Sequence, residues 1–181
     1  MSNAPEFADQ LIAAIPGLRA FGVSLTAKSD RADDLVQETL LKAWKHHDSF
    51  EPGTNMKAWL YTILRNEFYT QIRKRKREVE DADGVYSGRV AVQAGQHSHL
   101  DMADMRSALA LLPDDQREAI ILVGASGFSY EEAADICHVA VGTIKSRVSR
   151  ARARLNELLQ LASDETQDSS PENSTAALID R

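Results

Sequence analysis

Between Lys145 and Arg154 the stretch VGTIKSRVSRARARL (141–155) carries five basic side chains and no acid. A second run, RKRKR at 73–77, repeats that density. The 181-residue chain is nonetheless acidic, with 27 Asp+Glu against 21 Lys+Arg and a formal net charge of −6. Setting aside the ten clustered cations leaves 11 basic residues to face 27 acids, so charge is segregated along the chain. Guanidinium and ammonium groups at this density suit phosphate oxygens. Two such surfaces on an acidic body predict two contacts with a polyanion, while the acidity elsewhere limits indiscriminate binding. Two merely solvated basic faces would carry the same composition, so the geometry of each run has to decide.

A helix over 141–160 would position the first run. At about 100° per residue, Ile144, Val148, Ala151, Leu155 and Leu158 share one face and must pack inward. Lys145, Ser146, Ser149, Arg150 and Ala153 fall opposite, with Arg147 and Arg154 on one flank and Arg152 on the other. A helix entering a major groove needs slim residues for close approach and long donors for base edges. Arg and Lys match guanine O6/N7, and Ser can bond many bases. Flanking arginines suit phosphates, which fix register without reading sequence. With no acid inside the segment, local ion pairing explains the face less well than DNA reading does. A short helix at 130–137 and a tight turn at 138–141 precede it, which is a helix-turn-helix pattern.

The second run ends a long helix over 56–77. Met56, Leu60, Ile63 and Leu64 form its inward face. Tyr61, Arg65, Tyr69 and Arg73 lie roughly opposite, bordered by Trp59 and Asn66. Aromatic rings interleaved with arginines form a stacking platform for unpaired bases, with cations tracking the backbone. Trp59, Tyr61 and Phe68 could instead be ordinary core, and for Phe68 that is the preferred assignment. The helix before it, 31–47, has a stripe of Leu35, Val36, Thr39, Leu40 and Ala43. Leu41 points away among Asp34, Gln37, Glu38 and Lys45, an apolar spot on an acidic face that fits a docking site for a basic protein partner.

These pieces sit in a chain whose periodicity is helical nearly throughout, so the expected fold is all-α. A first helix is predicted at 6–27, and Asp30 precedes the second. FEPGTN (50–55) breaks the chain before the third. Residues 78–104 are acidic with little apolar period and read as a flexible linker between two small helical domains. Helices resume near 102–111 and from Pro113-Asp114 to about 125, and SYEE (129–132) is a capping box. The acidic, Ser-rich tail from about 163 is expected to be disordered. A single cysteine, Cys137, excludes an internal disulfide and reads as a small buried hydrophobe. The N-terminus has no charged start leading into an apolar core, and no apolar run approaches the roughly 18 residues of a membrane span. A soluble intracellular protein without membrane contact is expected. No Gly-rich phosphate loop, nucleophile elbow or two-Cys metal spacing is present, and His97-Ser-His99 lacks further ligands. No enzyme activity, cofactor or metal is expected.

Taken in order, DRADDLVQETLLKAW, NMKAWLYTILRN, LPDDQREAIILVGASGFSYEEAADI and VGTIKSRVSRARARL resemble the extracytoplasmic-function (ECF) sigma factors of the sigma-70 family. The likeness covers about 10–78 and 105–160. It implies a region 2 helical bundle at 6–78, a linker at 79–104, a region 4 helix-turn-helix at 105–161 and a tail at 162–181. It implies that region 2 binds core RNA polymerase through Asp34, Gln37, Glu38 and Leu41. Region 2 would also melt and read the −10 element, with a flipped-base loop at about Pro52 to Lys57. Asn55, Lys57, Trp59, Tyr61, Arg65, Asn66, Tyr69 and Arg73 are the implied −10 residues. Region 4 would read the −35 element of promoter DNA through Thr143, Lys145, Ser146, Arg147, Ser149, Arg150 and Arg154. RADDLVQETLLKAW, FEPGTNMKAWL and LVGASGFSYEEAA are more narrowly similar to the EcfG-type general-stress sigma factors of alphaproteobacteria, which implies control by a small helical anti-sigma factor.

Two rival functions fit less of the chain. A sigma-like mimic that only binds the anti-sigma factor would need a receiver domain and would not need both basic runs. A dimeric helix-turn-helix repressor leaves the whole N-terminal constellation unexplained.

Overall fold

Continuous helical periodicity yields helices alone: the computed structural model describes residues 4–80 and 100–168, and no strand occurs among them. In chain order they are α1 (Ala4–Thr26), α2 (Ser29–Lys45), a 3-10 turn (His47–Ser49) and α3 (Met56–Glu80), then α4 (Leu100–Ala110), α5 (Asp114–Ile120), α6 (Tyr130–Cys137) and α7 (Val141–Asp168). Most of the expected linker, His97, His99 and the tail beyond 168 lie outside the described residues.

The N-terminal unit is built on the stripes read from sequence. Leu18 and Phe21 of α1, Leu35, Thr39 and Ala43 of α2, and Leu60 and Leu64 of α3 are fully or almost fully buried. Thr39 is satisfied there because its hydroxyl donates to the Leu35 carbonyl at 2.7 Å. α2 starts two residues earlier than the pattern predicted. Its first turn is tied to α1 by Arg19, whose guanidinium donates to Ser29 Oγ at 2.8 Å and to Asp33 Oδ1 at 2.6 Å. The Arg19 hydrogen bond holds the Asp33 carboxyl below its ordinary range.

In the C-terminal unit the inward stripe of α7 meets two neighbours. Ile144 and Val148 join Ala119, Leu122 and Ile136 from α5, the turn after it and α6, while Ala151 and Leu155 pack on Ala108 and Leu112. Ser129 caps α6 through the expected box: its hydroxyl accepts from Glu132 N at 3.0 Å, and its own N–H donates to Glu132 Oε2 at 2.9 Å. His138 ends α6 in the left-handed region (φ 54°) and turns the chain into α7.

Two further elements differ from the sequence pattern. The helix expected to run to about 125 widens after Ile120 into a π-helical turn (Ile121–Ala125), in which Ser126 N–H donates to the Ile121 carbonyl at 2.8 Å. α7 continues to Asp168 through the first part of the segment expected to be disordered. After Gly142 in its first turn no Gly or Pro follows before Pro171, so nothing local stops the helix. The two units pack on each other: Leu18, Phe21 and Tyr61 lie in one apolar core with Leu122, Phe128 and Ile136. Among the described residues no helix is long and apolar enough to cross a membrane.

Candidate nucleic-acid interface

Three surfaces carry the candidate residues. On α7 the buried stripe leaves Lys145, Ser149 and Arg150 exposed, with Thr143 and Ser146 half-buried beside them. Ser146 Oγ donates to the Thr143 carbonyl at 2.8 Å, which keeps the hydroxyl close to the helix. Lys145 Nζ sits 5.9 Å from the Tyr130 ring centroid. Arg150 makes no ion pair among the described residues. The flank differs from the sequence pattern, because acids from outside the segment reach it. Arg147 Nε lies 3.1 Å from Asp115 Oδ2, and Arg154 lies 2.8 Å from Glu157. Arg147 therefore ties α7 to α5, whereas Arg154 stays half-exposed.

On α2, Leu41 is 65% exposed, with Asp34, Gln37 and Glu38 exposed around it, as the wheel predicted. Trp44, one turn on, is 54% exposed and was not singled out from sequence. Its ring leans on Phe7, with centroids 6.2 Å apart. Together they make a larger apolar patch than Leu41 alone.

On α3 the predicted platform divides into two sides. Trp59, Ile63, Asn66, Glu67 and Thr70 line one wall of an open cavity of ≈ 260 Å³, completed by Lys42, His46 and Ser49. Lys42 pairs with Glu67 at its rim. The other side repeats every four residues (Lys57, Tyr61, Arg65 and Tyr69) and is covered by the C-terminal unit. This corrects the expectation of an exposed stacking face. Tyr61 is only 2% exposed, stacked on Phe21 (4.9 Å, 19° between planes) and met edge-on by Phe128 at 4.9 Å. Burial raises its pKa, opposed by a hydrogen bond to Ser126. Its hydroxyl fits because Gly17 has no side chain there: a Cβ at 17 would lie 2.8 Å from the Tyr61 oxygen.

Arg65 Nε lies 2.7 Å from Glu118 Oε1, with side chains 15% and 0% exposed. Burial pulls the guanidinium pKa down, but the Glu118 carboxylate outweighs it and the net shift is upward. The guanidinium also sits 4.7 Å from the Tyr69 ring centroid. Burial, aided by the Glu118 charge, pushes the Tyr69 hydroxyl up to about 12. The same two causes push the Cys137 thiol up to about 12, so it stays protonated and unreactive at neutral pH.

The loop before α3 is bound as well. Asn55 Oδ1 accepts from Ala58 N–H at 3.2 Å, capping α3, while its Nδ2 donates to Glu132 Oε1 at 2.6 Å. Lys57 Nζ donates to the Ser126 carbonyl and lies 4.8 Å from the Phe128 ring centroid. Arg73 is exposed, and its guanidinium donates to Thr70 Oγ1 at 3.2 Å. Sequence reasoning missed Glu118, Glu132 and Phe128 as partners of this face. The available signal was a carboxylate, Glu118, at the border of the apolar run AIILV (119–123).

Residues 11–78 match the family model of sigma-70 region 2, and residues 102–155 match that of sigma-70 region 4. The chain is 58% identical over 171 residues to the ECF RNA polymerase sigma factor EcfG of Rhodopseudomonas palustris, covering 94% of this chain and 93% of that one. The solved sigma factor RpoE of Bartonella quintana, in co-crystal with the anti-sigma factor NepR, is 62% identical, with a TM-score of 0.76 over 86% of this chain and 97% of its own. CnrH, solved with the cytosolic domain of CnrY, is 27% identical, with a TM-score of 0.65 over 88% and 91%. Both halves match in the order the motifs predicted and together span more than half the length, so the chain belongs to the ECF sigma factors of the sigma-70 family.

Proposed function

We propose that residues 6–78 form the polymerase-docking and −10-reading unit and residues 105–161 the −35-reading unit of this sigma factor. Asp34, Gln37, Glu38 and Leu41 dock on core RNA polymerase. Lys145, Ser146, Ser149 and Arg150 read −35 base edges, with Thr143 and Arg154 beside them and Arg147 holding the helix in place. Asn55, Lys57, Trp59, Tyr61, Arg65, Asn66, Tyr69 and Arg73 serve the −10 element. The polymerase performs the chemistry, and this chain supplies promoter choice and strand opening. By likeness to EcfG and to the NepR-bound RpoE, it acts in the cytoplasm in a general stress response and is restrained by a small helical anti-sigma factor.

The observation that carries the reading is the pairing of an exposed Arg150–Lys145 face on the second helix of a helix-turn-helix with an exposed Leu41 in an acidic setting on a separate helix. Neither surface has a packing reason to exist. Run-off transcription with purified core polymerase tests it. Discrete transcripts from candidate promoters that require this protein are expected. Promoter binding without any polymerase-dependent transcript would point to a repressor, and binding to the anti-sigma factor alone would point to a mimic.

A further inference from the structure

Resting on the −35 assignment of α7, we infer that Ser146 acts only as a hydrogen-bond acceptor. It therefore selects a base with an exocyclic amino group, adenine N6 or cytosine N4, at the position it faces. Ser149, one turn on, makes no such selection.

A serine hydroxyl brings one donor hydrogen and two acceptor lone pairs to a base edge. A free hydroxyl turns to suit its partner and so discriminates little. The Ser146 hydroxyl is not free, because its Oγ lies 2.8 Å from the Thr143 carbonyl oxygen. A carbonyl has no hydrogen to give, so the hydroxyl proton lies on this bond. Two lone pairs remain at Oγ, and only a donor can meet them. In the major groove the base donors are the amino groups of adenine and cytosine. Guanine and thymine present acceptors there, with a methyl group on thymine.

The surroundings keep the hydroxyl committed. Ile144 and Val148, on either side of Ser146 in the chain, are 0% and 1% exposed, and Arg147 pairs with Asp115 of α5. α7 is thereby held from rolling about its axis to aim the side chain afresh. Ser146 itself is half-buried, so turning its proton toward a base would exchange one hydrogen bond for another and gain little. Ser149 supplies the contrast. It lies three residues on along the same face, is exposed, and has no hydrogen bond among the described residues. Its hydroxyl can donate or accept, and it tolerates either kind of base edge.

The test titrates full-length wild type, Ser146→Ala and Ser149→Ala against −35 duplexes at one fixed salt concentration. The duplex sequence is taken from a promoter active in run-off transcription. Every base pair shows the major groove one amino group and one carbonyl oxygen, so two panels of base analogues are needed. One panel removes the amino group of each pair in turn, and the other removes the carbonyl oxygen. Wild type is expected to lose about two- to tenfold in affinity when the amino group of one particular pair is removed, as for a single hydrogen bond. Ser146→Ala should bind the natural duplex more weakly by a similar factor and lose nothing further on that same removal. Ser149→Ala should keep the amino dependence in full. Alanine suits a helix interior, so both variants keep the fold.

Amino dependence of equal size in wild type and Ser146→Ala at every pair would overturn the inference while leaving the −35 assignment standing. A dependence on Ser146 that follows carbonyl removal would overturn it too, because the hydroxyl would then be donating. Wild type that binds −35 and scrambled duplexes alike would overturn the −35 assignment of α7, and the inference with it.

Discussion

Arg150→Ala separates base reading from structure, because the neighbouring arginine on the same helix supplies the contrast. Arg150 is exposed and holds no ion pair among the described residues, so truncating it removes nothing from the fold. A bidentate contact to guanine is worth about 1–3 kcal/mol of discrimination. At about 1.4 kcal/mol per factor of ten, that is a loss of about 5- to 150-fold against the correct −35 duplex. Arg147 is the opposite case: its side chain is 20% exposed and bound to Asp115 of α5. Its loss should appear as lower thermal stability, by up to about 1 kcal/mol for a pair with a half-exposed partner.

The assay is titration of full-length protein against a −35 duplex and its single-base variants at one fixed salt concentration, beside thermal melts. The Arg150→Ala protein should melt as wild type, bind the correct duplex more weakly and lose preference at one base pair. Arg147→Ala should melt earlier with its base preferences intact. Uniform weakening by Arg150→Ala across all base variants would make that residue a phosphate contact and refute the assignment.

Other outcomes follow from single features of the structure. Leu41→Ala and Glu38→Lys should each weaken binding to core polymerase without lowering the melting temperature, since Leu41 is 65% exposed; normal affinity in both would remove the docking assignment. Gly17→Ala should destabilise by about 1–3 kcal/mol, as a Cβ 2.8 Å from the Tyr61 oxygen overpacks the site, and Tyr61→Phe in the same chain should restore most of the loss in a thermal melt. Ser129→Ala should cost about 1 kcal/mol by removing the α6 cap, read by urea denaturation. Tyr69→Ala should leave closed complexes intact and slow promoter opening, seen with a fluorescent base in the −10 element and largely rescued by a premelted bubble; a normal opening rate would return Tyr69 to a structural role.

The helices and their inward faces were legible because periodicity alone specifies them. Ile144, Val148, Ala151 and Leu155 on α7, and Leu35, Val36, Thr39 and Ala43 on α2, are buried as the wheel requires. The α6 cap was legible for a similar local reason, since Ser129 and Glu132 are three residues apart. The fate of α3 was not. A wheel locates the face opposite the first buried stripe, but it cannot say whether a second body covers that face. Tyr61 and Arg65 meet Phe128 and Glu118 of the C-terminal unit across long sequence separations, 53 residues for Arg65–Glu118. The same limit explains Arg147, whose acid comes from α5 and not from its own helix. The π-helical turn after Ile120 was hidden too, because LVGAS reads as helix until Ser126 is seen to bond back five residues.

The segregated charge of the sequence acquires a physical meaning once the fold is set beside it. The acids that meet α3 from the C-terminal unit are Glu118 and Glu132, while the RKRKR run at the end of α3 stays exposed, with Lys74 Nζ 3.9 Å from Glu78. The exposed run and the α7 face are placed to attract phosphates at a distance. That attraction is electrostatic and must weaken steeply with salt. Arg65 and Tyr61 are instead sheltered, and a buried pair such as Arg65–Glu118 is screened little by salt. An acidic chain with two basic runs thus keeps its long-range attraction to phosphates on exposed groups and its buried ion pair apart from them. Salt should therefore act on promoter encounter far more than on the opening step that follows.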